Sequence, residues 1–353
     1  MMRTGASTGD MSQRTDRNHL ARALPVPWWR AHGFILGLIG AVALAFVVPG
    51  PGAHGGALHP EVINNGGIAL ILFLQGLSMA YEKVRSGAGN WRLHLLIQGF
   101  TFVCFPLIGL AFSGVVPWLW PSQPEAIRAG FLYLCVLPST VSTSVVLTAV
   151  ARGNTAGALF NAALSNILGV IATPLLVQLL MHRSGSQGSM GPLLLQITLL
   201  TLLPFAAGMI LRRWLHTVVD SRKIWVSRIS NAVILFMVYA AFCDSVERRI
   251  WQQYGIPLTL QVVLLVVVLF GVVSALALAA CRLLQLNRGD RIAAYFCAVK
   301  KTLAMGVPLA VLIFGERADL PLILLPIMFY HPLQLFLNGL LASRWAQHDE
   351  RAT

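Results

Sequence analysis

Two short stretches put polar residues where a strongly apolar chain would otherwise run on. One, over 137–154, reads LPSTVSTSVVLTAVARGN; the other, over 299–311, reads VKKTLAMGVPLAV. In the first, Pro138 removes a backbone donor and disturbs the turn before it. Ser139, Thr140, Ser142, Thr143, Ser144 and Thr148 follow with hydroxyls. Freed carbonyls and hydroxyl oxygens suit a small cation or a polar group of a solute, and the helix N-terminus after a break favours an anion. A single Ser or Thr would simply bond back to a helix carbonyl. A cluster of them behind a proline reads as a binding site. The second stretch sets Lys300, Lys301 and Thr302 ahead of Gly306 and Pro308, which are expected to break the helix. A buried ammonium needs a partner or a water-filled cavity, and this segment holds no acid. Lys300 is expected to snorkel to the inner face, which leaves it a secondary candidate. Lys301, beside Thr302 and the break, is expected to belong to the site.

Other polar residues fall inside apolar segments. Asn161 and Ser165, four apart, share a helical face and would form a second wall, with Asn166 beside them and Thr173-Pro174 further on. Packing through interhelical hydrogen bonds accounts for such residues equally well. His331, Gln334 and Asn338 also share one face; His331 and Gln334 are secondary candidates, as are Gln75, near Ser78, and Gln98, four after His94. No HExxH, GxSxG, phosphate loop or carboxylate pair is present, so no catalytic residue, no cofactor and no metal site is expected, and the chain is not expected to be an enzyme. A coupling ion, H+ or Na+, stays open.

These residues need apolar helices to hold them. Of 353 residues, 56% are hydrophobic and 11% charged, with mean hydropathy +0.71. Soluble domains carry about 25% charged residues, so the composition points to a multi-pass membrane protein. The net charge of +13 belongs to membrane-flanking loops, not to a nucleic-acid groove. The five cysteines all lie in apolar segments, none in a CxxC pair, and suggest no disulfide framework.

Ten apolar spans can be cut: 33–50, 61–81, 92–116, 126–151, 155–181, 191–213, 224–246, 257–285, 290–314 and 320–343. Residues 1–32, with five arginines, read as a disordered basic cytoplasmic tail, 33–345 as the ten-helix domain and 346–353 as a second tail. With the N-terminus inside, the inner segments hold 19 Lys and Arg. The outer ones hold five: Arg128, Arg183, Arg248, Arg249 and Arg317. That bias predicts both termini in the cytoplasm and an inner or cell membrane location. Five spans precede the loop at 182–190 and five follow it, so the halves, 33–181 and 191–343, have opposite directions. The two polar breaks fall in the fourth span of each, the arrangement of an inverted-repeat transporter.

The runs PSTVSTSVVLTAVARGNTAGALFNAALSNILGVIATPLL, KKTLAMGVPLA and LLPIMFYHPLQLFLNGLLASRWA, with LILFLQGLSM in span 2, resemble the SBF-like branch of the bile acid:sodium symporter superfamily. The resemblance covers nearly the whole chain after residue 30. It implies an all-α fold of ten transmembrane helices with core and panel domains, spans 4 and 9 broken and crossing near mid-membrane, and alternating access. In sodium-coupled members the span 9 break opens with a Glu that helps bind sodium; here Lys301 stands in that region. Ser142 and Ser144 match the span 4 hydroxyls of those sodium sites, whereas span 5 offers Ala158 and Ala162. An ammonium cannot coordinate sodium. The expectation is therefore that Lys301 fills the place of the cation, bonded to hydroxyls and carbonyls of the breaks, in a transporter of an organic anion or related small solute that is proton-coupled or uncoupled. A conventional sodium symporter and a non-transporting regulator or scaffold are the alternatives. The expected partners are a small-molecule substrate and the lipid bilayer, with no nucleic acid.

Overall fold

The computed structural model describes residues 33–79, 89–181, 190–315 and 317–350. The tail at 1–32 and the basic residues Lys83, Arg85, Arg183 and Arg351 lie outside the described residues. The described residues are helical, with no strand among them. In chain order the helices are α1 (Gly33–Val47), α2 (Pro60–Leu77), α3 (Trp91–Gly99), α4 (Phe105–Leu119), α5 (Glu125–Val136), α6 (Ser142–Val150), α7 (Thr155–Met181), α8 (Met190–Ser221), α9 (Lys223–Glu247), α10 (Ile250–Leu283), α11 (Arg288–Ala298), α12 (Leu303–Phe314) and α13 (Leu320–Glu350). A π-helical turn, Phe100–Cys104, joins α3 to α4.

Taking α3–α4 and α11–α12 each as one unit, six helical segments are long and apolar enough to cross a bilayer: Trp91–Leu119, Thr155–Met181, Lys223–Glu247, Tyr254–Leu283, Arg288–Phe314 and Leu320–Gln347. Their burial differs sharply. In Arg288–Phe314, 78% of the most apolar window is buried, against 33% in Trp91–Leu119. The broken α11–α12 unit is thus the centre of the bundle, while α3–α4 shows most of its surface to the outside. The core around it is aromatic and branched: Phe105, Phe131, Tyr133, Phe296 and Tyr330 are fully buried. α2 and α8 approach backbone to backbone. A side chain at Gly76 would strike the Phe205 carbonyl, and one at Gly208 the Phe73 carbonyl, the small-residue packing that membrane helices use.

Several boundaries depart from the sequence reading. The loop expected between 213 and 224 is largely helical, since α8 runs to Ser221 and only Arg222 leaves helical geometry before α9. No Gly or Pro interrupts that stretch, and Arg212 holds it by donating to the Leu77 carbonyl and to Asp220. The tail expected from 346 is helical to Glu350. Gly306 and Pro308 do not break their helix. They lie inside α12, and the break falls earlier, over 299–302, at the lysines. Pro308 lies inside the helix, where a proline removes the donor to the residue four back. Here that residue is Ala304, and the Gln75 amide supplies the missing bond at 3.0 Å.

Candidate functional site

The first break follows from Pro138. The residue before a proline is pushed out of helical geometry, and Leu137 is extended, with ψ 152°. α5 therefore stops at Val136 and the chain restarts as α6 at Ser142. A helix end leaves its last carbonyls without partners, and each of these finds one. Cys135 O accepts from Lys301 Nζ at 2.9 Å and Leu137 O from the same ammonium at 2.7 Å. Val136 O accepts from the Thr173 hydroxyl at 2.9 Å. Pro138 O accepts from the Thr302 backbone N–H at 3.0 Å, and Ser139 O from the Asn166 amide at 2.9 Å. Gly169 lets α7 lie against Pro138, where a side chain would collide with the proline ring.

Lys301 has a third carbonyl, Thr101 O, at 3.2 Å, and its Nζ lies 3.9 Å from the centre of the Phe105 ring. The Thr101 carbonyl is available for a local reason. In the π-turn the Phe105 N–H bonds to Phe100 O, so it does not serve Thr101. The next residue, Pro106, has no N–H to offer. An ammonium has three donors, and three carbonyls take them, while the aromatic face adds a cation–π contact. Two of the three carbonyls are at the C-terminal end of α5, where the helix dipole is negative. Lys301 is fully buried. Gln334 locks its backbone from both sides, accepting from Lys301 N at 2.9 Å and donating to Lys301 O at 2.8 Å, and its amide also meets His331 Nδ1 at 3.0 Å.

The two breaks bond directly to each other. Ser139 Oγ donates to Cys297 O at 2.7 Å and Ser144 Oγ to Phe296 O at 3.0 Å. Ser165 Oγ accepts from Ser139 N at 3.0 Å. Thr140 bonds Thr143 and Ser144 through hydroxyls. Tyr133 donates to Gly306 O and Tyr330 to Val299 O.

The sequence-derived residues therefore divide. Pro138, Ser139, Thr140, Ser144, Ser165, Asn166, Lys301, Thr302 and Gln334 meet at the breaks, with Thr143 beside them and Gly306 and His331 adjoining. Ser142 is exposed on the outer side of α6. Asn161 lies on another seam, bonded to His94 Nδ1 at 2.9 Å and accepting from Gln98. Gln75 reaches the site through Ala304. Lys300 does not snorkel: it is fully buried, and no hydrogen bond reaches its Nζ. Snorkelling needs a side chain that points along the helix axis to the interface, and Lys300 leaves the chain inside the break, in the most buried helix pair. Among the described residues no carboxylate pairs with either lysine. Sequence reasoning missed Thr101, Cys135 and Phe105. Two of them act through backbone oxygens, which carry no residue signature; only Pro106 and Pro138 hinted at them.

A second polar cluster ties three helix starts together. Asn90, Asn154 and Asn287 precede α3, α7 and α11, and each side-chain oxygen accepts from an N–H three residues on, as N-caps do. Their amide groups all donate to the Asp290 carboxylate at 2.7 Å, Asn154 to one oxygen and Asn90 and Asn287 to the other.

Comparison with known proteins gives a consistent result. The model of the SBF-like CPA transporter family matches residues 32–347. The chain is 37% identical to the uncharacterised protein PA2026 of Pseudomonas aeruginosa, over 92% of this chain and 96% of that one. It is 35% identical to YfeH of Escherichia coli K12, named as a symporter, over 90% and 94%. Identity to the sodium/bile acid cotransporter 7 of Danio rerio is 30%, over 88% and 93%.

Proposed function

The chain belongs to the SBF-like CPA transporter family, and from that premise we propose that it is a secondary active transporter of an organic anion or related small solute in which Lys301 takes the place of a coupling cation. That it is a membrane transporter and not an enzyme follows from the family. The finer reading rests on one observation: the Lys301 ammonium sits among the Thr101, Cys135 and Leu137 carbonyls and against Phe105. Such a ring of carbonyl oxygens at a broken helix is what binds a sodium ion in other transporters. A tethered ammonium meets the same oxygens without leaving, so the site carries its charge through the cycle.

The architecture that fits this reading has ten spans in two inverted halves. α5–α6 and α11–α12 are the broken fourth spans, bonded to each other through Thr302–Pro138 and Ser139–Cys297. Core and panel domains would rock around that junction, with both termini in the cytoplasm and the protein in the inner or cell membrane. Reversible exchange of the Lys301 proton with an opened pathway would make the cycle proton-coupled; permanent charge would make it uncoupled.

Reconstituted protein separates the options. The expected result is solute flux that does not require sodium and is abolished by Lys301→Ala. A flux that needs a sodium gradient in the wild type sinks the built-in cation and restores the sodium symporter reading. Lys301→Glu adds a sharper arm. A carboxylate facing the carbonyls needs a cation between them, so thermal stability of that variant should rise with sodium, against a choline control, while the wild type stays indifferent.

A further inference from the structure

Lys300 is the one ammonium at the breaks that the protein leaves unanswered. It is fully buried, and its Nζ has no hydrogen-bond partner. Its neighbour Lys301 has used the carbonyls that the first break exposes. A second unanswered group lies on α13. Gln334 grips the Lys301 backbone, and Asn338 follows one turn on, about 6 Å further along the same face. Asn338 is also fully buried, and neither its carboxamide oxygen nor its nitrogen has a partner. Unpaired buried polar groups destabilise a fold, charged ones most. A membrane protein keeps them where a ligand completes them.

Resting on the transporter reading above, we propose that Lys300 is the anion anchor of the transported solute, that the group it receives is a carboxylate, and that the Asn338 amide is the second donor to it. The free donors select the carboxylate. Lys301 has given its three N–H groups to carbonyls, which leaves Lys300 Nζ and Asn338 Nδ2 to receive an anion. A carboxylate offers two oxygens. A phosphate ester would bring a third terminal oxygen for which this pair supplies no donor group. One oxygen of the carboxylate takes the Lys300 ammonium and the other takes Asn338 Nδ2, which matches two donors to two acceptors.

The test uses the purified full-length chain and three probes of one shape: benzoate, its neutral amide benzamide, and phenyl phosphate. Acetate and cholate extend the size range of the carboxylates. Thermal shift and equilibrium binding should rank carboxylate above amide and above phosphate. Lys300→Met should lose that ranking, with carboxylate binding at least tenfold weaker, and should itself melt at a higher temperature than the wild type, because it removes an unpaired charge from the interior. Asn338→Leu should weaken carboxylate binding several-fold and leave amide binding unchanged. If no carboxylate outranks its amide, if Lys300→Met keeps the ranking, or if Lys300→Met melts lower than the wild type, the anchor is overturned. If Asn338→Leu binds carboxylate as the wild type does, the second donor is overturned. Flux in proteoliposomes reports separately. Lys300-dependent binding without flux of any carboxylate overturns the transport reading and keeps the site, whereas flux with binding indifferent to Lys300 overturns the site and keeps the transporter.

Discussion

Two buried charges organise two regions of this molecule, and they are handled in opposite ways. At the breaks, Lys301 gives its three N–H groups to backbone carbonyls, two of them at the C-terminal end of α5. At the Asn–Asp cluster, Asp290 takes three side-chain amides, each from an asparagine that caps a helix start. The cation sits where a helix dipole is negative and the anion where three dipoles are positive. In both places neutral dipoles supply the hydrogen bonds. The difference is in what is tied. Asp290 joins the starts of three helices, α3, α7 and α11, to one acceptor. Lys301 joins the break before α12 to the C-terminal end of α5 and to the π-turn before α4.

Removing each charge should break this contrast in a graded way. Lys301→Met leaves three buried carbonyls without donors, each costing about 1–3 kcal/mol, and should destabilise by at least about 3 kcal/mol, read by chemical denaturation in detergent, with flux lost. A melting point equal to that of the wild type would mean the carbonyl ring does not hold the breaks. Asp290→Ala strips the common acceptor from three amides and should cost about 2–4 kcal/mol. Hydrogen exchange should rise together at the starts of α3, α7 and α11; a rise confined to α11 would show that Asp290 merely caps its own helix.

Smaller changes sharpen the picture. Thr173→Val removes the hydroxyl from Val136 O but keeps the shape, so the loss should be about 1 kcal/mol, with solute affinity little changed. Between α12 and α13, the Arg317 guanidinium bonded to Asp319 holds that carboxyl below the usual carboxylate range. A lowered folded-state value means the pair contributes above the ordinary carboxylate pKa and fades as pH falls through the lowered one. Both residues are partly exposed, so Asp319→Asn should cost under about 1 kcal/mol at neutral pH and nothing at strongly acid pH. A loss that persists in acid would remove the ion pair as its cause.

Much of this was legible in the letters. Pro138 announced the first break because its ring acts on its own and the preceding residue. The capping asparagines act within three residues, which is also local. Gly306 and Pro308 misled, because a proline inside a helix frees one carbonyl, here Ala304 O, and the Gln75 amide covers it. Asn161, for which a second wall of the site and interhelical packing were both open, lies on the seam with His94 and Gln98, since helical periodicity gives a face but not the neighbour that face meets.

By itself the sequence determined that this is a helical membrane protein and that its first interruption falls at Pro138. All of that follows from apolar runs and short-range backbone sterics. Only the tertiary structure decided what surrounds the two lysines. They are adjacent and chemically identical, and composition cannot tell them apart. Lys301 points at carbonyls that α4, α5 and their prolines leave open, and Lys300 does not. A backbone oxygen belongs to every residue alike, so which of them receives a charge is fixed by how the helices come together.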